Sequence, residues 1–402
     1  EAVPVWATEA FSEHFYKQYG VFQTAEQRRG ARQFGAQVGD QSLPCSALGP
    51  RPDFGSGIGE GVRLPTESFS GLTTLEVGGP AWGFAEFSTA DELRSLHDAA
   101  RAARRPMWIL GGGSNVVIAD DGLDALVVRS AHTSVRVDGQ RLRAGAGAHW
   151  DDVVAEAVRR GLQGIECLSG IPGSAGAAPV QNIGAYGQEL ADVLVGVTVY
   201  DLEDRVVRGL SPKELALGYR ASAIKAGAPW LVLELELKLG HGLPQLRYPD
   251  LQAEAEEAGS LHSARAAVLR VRRRKSMVWD ASDPNRRSVG SFFMNPVVSA
   301  EVAQSVRKKA LRLGREPPPF HEAVGGTKLP AAWLIELSGL ERGWVSGNVG
   351  LSTKHALCIV NRGGASAKDV REFSEFIVAR VKDRLGVGLQ PEARFVGGTA
   401  SV

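Results

Sequence analysis

The string Gly290-Ser291-Phe292-Phe293-Met294-Asn295-Pro296 sets one hydroxyl between a glycine and two aromatic rings, with an amide close behind. A hydroxyl and an amide at the mouth of an apolar pocket make a small-molecule site with a few placed polar groups. Alone, the string fits equally a turn feeding a buried strand. Three distant strings also carry groups able to do chemistry: Gly111-Gly112-Gly113-Ser114-Asn115, Tyr219-Arg220, and Pro391-Glu392-Ala393-Arg394-Phe395.

Consecutive glycines after a strand let backbone N–H groups approach a ligand, and successive N–H groups form an anion nest suited to a pyrophosphate. An ordinary tight turn explains such a triplet as well. The string is not a dinucleotide fingerprint, because GxGxxG and a following ribose-binding acid are missing, and no Gly-Lys-Ser/Thr makes it a Walker loop. A second segment adds weight: Gly170-Ile171-Pro172-Gly173-Ser174-Ala175-Gly176-Ala177-Ala178-Pro179-Val180-Gln181-Asn182-Ile183-Gly184-Ala185-Tyr186-Gly187. A packed core prefers larger side chains than these, whereas small residues leave room for a large flat ligand. Arg220 also reads as a surface ion-pair partner, and Glu392 as a solvated acid or a partner of Arg394. Arg272-Arg273-Arg274-Lys275 reads either as the basic end of a solvated helix or as an anion contact.

These residues need elements to hold them. Thr89-Ala90-Asp91-Glu92 is a capping box, with Leu93, Leu96, Ala99 and Ala103 behind it as an apolar face. Residues 107–110 predict a short buried strand; residues 116–118 and 126–128 predict two more. Asp138-Gly139 between alternating runs predicts a hairpin. Trp150, Val153, Val154, Ala157 and Val158 mark a second helix. Strands return at 195–200 and 231–237. Pro330 stands at the first turn of a helix continuing through Glu336, and a last helix over 367–385 carries Val370, Phe373, Ile377 and Val381 on one face. Helices and strands mix without a regular βαβ repeat, so the fold class is α+β.

A chain of 402 residues suggests two or three domains. Its hydrophobic share of 44% and charged share of 23% are those of a soluble globular protein, and a formal net charge of +1 argues against nucleic acid or an acidic membrane surface. Cys45, Cys167 and Cys358 lack the spacing of a disulfide framework or a metal site, so no metal is expected. Reduced thiols, the lack of a signal core and the lack of an apolar run of about 18 residues predict a cytoplasmic protein without membrane insertion. Residues 1–65 read as a disordered N-terminal extension, with the stretch 41–65 rich in Gly, Pro and Ser.

Together the four strings resemble the UDP-N-acetylenolpyruvoylglucosamine reductases, flavoenzymes that make UDP-N-acetylmuramate for peptidoglycan. The resemblance covers about residues 71–398. It implies a two-lobed FAD-binding domain of the vanillyl-alcohol-oxidase-like type over residues 66–250. A smaller α+β substrate domain over 251–390 would follow, with the segment 391–402 returning to the flavin lobe. It implies FAD, held without a covalent tether, and NADPH as co-substrate. Gly111, Gly112, Gly113, Ser114 and Asn115 would hold the pyrophosphate. Ile171, Gly173, Ser174, Gly176, Ala178, Asn182 and Ile183 would line the flavin.

The family's catalytic arginine, serine and glutamate fall on Arg220, Ser291 and Glu392. Hydride addition to the enolpyruvyl methylene carbon leaves negative charge on the adjacent carbon and its carboxylate. Arg220 would neutralise that charge, Glu392 would help hold the enol form, and Ser291 would deliver the proton. Tyr248 in Leu246-Arg247-Tyr248-Pro249-Asp250-Leu251 matches a tyrosine that closes over the UDP-sugar. Lys275 matches a diphosphate-binding lysine. Asn295 and His355 complete the implied substrate contacts, although a buried structural role suits His355 equally. The chain departs from the family pattern between Lys275 and Ser291, where residues 278–287 form a longer, polar connection. A monomer is expected. Two other readings share these glycine strings: an FAD-dependent oxidase of an alcohol or sugar, and a flavin- or UDP-sugar-binding module without catalysis.

Overall fold

The computed structural model describes residues 62–63, 68–254 and 259–397. The extension at residues 1–65 lies outside them except for β1 (Val62–Arg63), which pairs antiparallel with β2 (Ala81–Phe87).

The first sheet runs β1-β2-β5-β3, with β3 (Met107–Ile109) and β2 both parallel to β5 (Leu123–Ser130). The inner strand β5 buries Ala125, Leu126, Val127 and Val128 in succession, because a parallel strand is covered on both faces. Strand β3 is half-buried rather than the buried strand expected, since it lies at the sheet's edge. Helix α1 (Ala90–Ala102) connects β2 to β3, and its capping box forms as read: Thr89 Oγ1 accepts from Glu92 N, while the Glu92 carboxylate accepts from Thr89 N. Strand β4 (Val116–Ile118) follows the glycine triplet.

The second lobe is an antiparallel sheet in the order β11-β10-β12-β7-β6. It comprises β6 (Val135–Asp138), β7 (Arg141–Gly145), β10 (Leu194–Asp201), β11 (Val207–Leu210) and β12 (Trp230–Lys238). Asp138 faces Arg141 across the first hairpin, so its turn is Gly139-Gln140, one residue later than expected; Gly139 takes φ +54° there. Helix α2 (Trp150–Arg159) buries Trp150, Val153, Val154, Ala157 and Val158 in a core with Leu142, Ala144, Leu235 and Leu237. A small hairpin, β8 (Gly184–Ala185) and β9 (Gln188–Glu189), closes the glycine-rich segment.

The rest is helical with short strands. In order come α3 (Pro249–Glu254), α4 (Leu261–Arg274), β13 (Val297–Val298), α5 (Ala300–Arg312), β14 (His321–Ala323), β15 (Gly326–Lys328), α6 (Ala331–Leu337), β16 (Val345–Ser346), β17 (Val349–Leu351), β18 (Ile359–Asn361) and α7 (Ala367–Leu385). Pro330 is the N-cap of α6 rather than a residue of its first turn. Helix α7 sends Val370, Phe373, Ile377 and Val381 into a core shared with Phe292, Phe293 and Leu334. The last strand, β19 (Arg394–Val396), runs parallel to β4 and so returns the chain to the first lobe.

Candidate active site

Arg220 owes its position to a tight turn. Gly218 and Ala221 exchange backbone hydrogen bonds at 3.0 and 3.2 Å, which places Arg220 at φ +53°. Left-handed backbone costs a non-glycine residue roughly 1–2 kcal/mol, so the turn needs support from elsewhere. The guanidinium supplies part of it. Nη2 donates to Gly184 O at 2.6 Å and Nη1 to Asn182 O at 3.3 Å, which pins the head to the glycine-rich segment. A Cβ at Gly184 would stand 2.9 Å from Glu189 Cγ, 3.0 Å from Gln188 O and 3.1 Å from Arg220 Nη1, so a side chain there would crowd this approach. Arg220 Nε then lies 3.2 Å from Glu392 Oε1, with both side chains largely buried. The partner of Glu392 is thus Arg220, not Arg394. Burial pushes the Glu392 carboxyl above its usual range, while Arg220, Lys225 and Lys328 pull it back without prevailing.

Ser291 reaches the same place through backbone pairing. Glu392 N donates to Phe292 O at 2.8 Å and Met294 N to Gln390 O at 2.9 Å, so the serine string lies along the glutamate string. Phe292 and Phe293 are almost fully buried and anchor it; each such side chain is worth roughly 1.5–3 kcal/mol relative to exposure. Among the described residues the Ser291 hydroxyl has no hydrogen-bond partner, so its proton is free to be given to something else.

The two glycine-rich strings pack on each other. Ser114 Oγ donates to Pro172 O at 3.1 Å, and a Cβ on Gly112 would meet Gly173 Cα at 2.7 Å. Asn115 Nδ2 donates to Gln181 Oε1 at 2.9 Å and to Glu392 O at 3.3 Å, joining both strings to the catalytic candidates. Asp151 on α2 accepts from Gly170 N at 2.6 Å while Arg265 on α4 grips its two oxygens, which fixes the start of the second string. The backbone N–H groups of residues 111–115 donate to no acceptor among the described residues. Successive unpaired donors at the end of a parallel strand form a nest for a pyrophosphate, so this chain's own residues fit a dinucleotide cofactor.

The expected substrate contacts fall into two groups. Tyr248 packs edge-on to Tyr186, with centroids 5.8 Å apart. Lys275 Nζ stands 5.8 Å from the Tyr186 ring centroid and 3.0 Å from Asp250, so an acid already engages it. His355 lies within reach of that lysine's charge. Burial first, then Lys275 and Arg342, push its pKa down to about 4, and Nδ1 accepts from Leu357 N at 3.2 Å. The ring is thus neutral, with its proton on Nε2. Asn295 stands apart, its Oδ1 accepting from Ala331 N at 2.9 Å and satisfying the first turn of α6. Arg272 is buried, against its reading as part of a solvated helix end, whereas Arg274 and Arg270 pair with Glu254. The polar connection 278–287 is held by Asp283. Burial raises that carboxyl, but the Lys354 ammonium, Asn285 N–H and Ser276 hydroxyl overrule it and bring it down to about 2.

Two lysines at this site were missed in the sequence. Lys225 Nζ donates to Arg220 O at 2.8 Å, and Lys328 Nζ sits 3.7 Å from the Tyr219 ring centroid. Lys225 stands in the next turn after Tyr219-Arg220, and nothing in the sequence shows that its ammonium folds back onto the Arg220 carbonyl or ties β15 to that turn.

Residues 283–396 match the C-terminal domain of UDP-N-acetylenolpyruvoylglucosamine reductase, and residues 82–209 match an FAD binding domain. The UDP-N-acetylenolpyruvoylglucosamine reductase of Mycolicibacterium gilvum is 46% identical over 335 residues, spanning 81% of this chain and 94% of that protein. The chain belongs to the UDP-N-acetylenolpyruvoylglucosamine reductase family. The Nocardia farcinica reductase is 44% identical over 85% of this chain and 91% of its own. The crystal structure of the Thermus caldophilus reductase aligns with a TM-score of 0.60 at 30% identity, covering 84% of this chain and the whole of that one. Membership of the reductase family agrees with the FAD-binding lobes and with the α+β class. Among the described residues, no helix is long and apolar enough to cross a membrane.

Proposed function

We infer that this chain reduces the enolpyruvyl group of UDP-N-acetyl-3-O-(1-carboxyvinyl)-glucosamine to give UDP-N-acetylmuramate, a peptidoglycan precursor, with FAD as cofactor and NADPH as reductant, and that Arg220, Glu392 and Ser291 carry the reaction. The observation that supports the roles is the convergence of three segments: the 3.2 Å Arg220–Glu392 contact, and the serine string paired to the backbone of Glu392. Residues 111–115 would hold the pyrophosphate, and residues 171–183 would line the flavin. FAD bound there supplies the hydride that adds to the methylene carbon. Arg220 offsets the negative charge that develops on the adjacent carbon and its carboxylate, from a position set before the substrate arrives. Glu392, whose burial raises its carboxyl above the usual range, would help hold the enol form when it carries a proton to share with that carboxylate. The uncommitted Ser291 hydroxyl delivers the proton to carbon. Tyr248, Lys275 and His355 would contact the UDP-sugar. Asn295 retains its Nδ2 donors and one lone pair of Oδ1 for that task. A cytoplasmic monomer holding FAD without a covalent bond belongs to the same reading.

The test separates two half-reactions by anaerobic stopped-flow absorbance. In Ser291→Ala, NADPH should still reduce the flavin at near the parent rate, because that step needs no carbon acid. Reoxidation by the enolpyruvyl sugar should slow by roughly 10² to 10⁴, and Ser291→Cys should recover part of the loss. Reoxidation of Ser291→Ala at the parent rate would make the serine structural and leave Glu392 as the next candidate.

A further inference from the structure

Lys225 ends a chain of contacts that the reaction above does not use. Its backbone N donates to Ser222 Oγ at 3.0 Å, and that hydroxyl donates to Val180 O in the glycine-rich segment. Its ammonium, half-buried, is then spent on one backbone oxygen, that of Arg220, at 2.8 Å. This is the residue held at φ +53°. A carbonyl locked by a charged donor cannot swing, so the peptide after Arg220 is fixed and the left-handed turn is kept. The Lys225 charge acts on Glu392 together with those of Arg220 and Lys328, and Arg394 and Arg220 in turn act on Lys225.

We propose that Lys225 is a positioning residue of this site: its ammonium clamps the Arg220 carbonyl, so that the guanidinium stays aimed at Glu392, and it adds a second positive charge facing that carboxyl. The role rests on the function inferred above. It separates Lys225 from a lysine that only braces a loop, because it has an electrostatic consequence. Removing a cation beside Glu392 makes the carboxyl harder to ionise, so any limb of the pH profile set by Glu392 moves to higher pH.

The test is steady-state turnover of the FAD-loaded full chain across pH for Lys225→Met and Lys225→Arg, with melting temperature and flavin content as controls. Lys225→Met should lower kcat by about 10- to 100-fold, as misaimed catalytic groups do, change the KM for the enolpyruvyl sugar far less, and shift the Glu392 limb upward. Lys225→Arg keeps a cation and a donor. It should recover most of the rate and hold the limb where the parent has it. Lys225→Gln supplies the same readouts if Lys225→Met fails to fold. A folded neutral variant with the parent's kcat and profile overturns the proposal. So does a neutral variant that loses turnover with the profile unmoved, since that marks a purely structural lysine. A parent chain that does not reduce the enolpyruvyl sugar overturns the inferred function itself, an outcome read before any variant is made.

Discussion

A carboxyl beside a guanidinium usually ionises more readily than in water, yet Glu392 does the reverse. Three cations face it, and burial still wins. This has a sign that stability measurements can read. Its folded pKa lies above the unfolded value near 4.5, so the folded state binds the extra proton and loses stability as pH rises from 4.5 through the folded pKa. Glu392→Gln keeps the shape without the ionisation. The difference in melting temperature between the variant and the parent should therefore move in the variant's favour between pH 4.5 and 8. A difference that stays constant with pH would show that Glu392 is as easily ionised as an exposed acid. His355 is the opposite case: with a pKa of about 4 and Nδ1 engaged by Leu357 N, its ring is neutral and Nε2–H is its one donor.

At the scale of elements, the glycine strings act on each other as well as on a ligand. The approach of backbone N–H groups to a pyrophosphate was the reason read for Gly112, but a side chain there first meets Gly173 Cα at 2.7 Å. Gly112→Val should therefore pry the two strings apart and yield folded protein with little flavin, read as the ratio of absorbance at about 450 nm to that at 280 nm. A normal ratio would show that the strings have slack. Local signals were legible where the cause is local. The capping box at Thr89 and the face of α7 need only a few neighbouring residues, and both stand as read. Features set by distant partners were not legible. Pro330 serves as a cap because Asn295, far back in the chain, takes the N–H of Ala331. The edge position of β3 depends on sheet order, which no window of sequence contains. For the site, the motif residues Arg220, Ser291 and Glu392 could be picked out. Lys225 and Lys328 could not, because their relevance comes from the left-handed turn and from the strand that crosses it.

The whole molecule depends on joints between its parts. His97 on α1 meets Tyr200 on β10 with Nδ1 3.3 Å from the phenol oxygen, and the rings stand nearly perpendicular at 88°. The neighbouring Asp98–Arg205 ion pair spans the same two lobes. Burial, then Arg101 and Arg205, lower the His97 pKa below 6.5, with Asp98 opposing. The folded state thus keeps a neutral ring that the unfolded chain protonates near 6.5, so this contribution is present above that pH and is lost as pH falls. His97→Gln should flatten the decline in melting temperature between pH 7 and 5; an unchanged slope would place the acid sensitivity elsewhere. The other joint, β19 on β4, has a consequence in time. Arg220 is synthesised near the middle of the chain, but its acidic partner and the strand that seats it come from the last described stretch, residues 392–396. A ribosome must therefore translate from Arg220 through residue 396 before this ion pair and the strand that seats it can form. A chain interrupted between the two keeps the Arg220 contacts to Asn182 and Gly184 but lacks the carboxylate that its Nε faces.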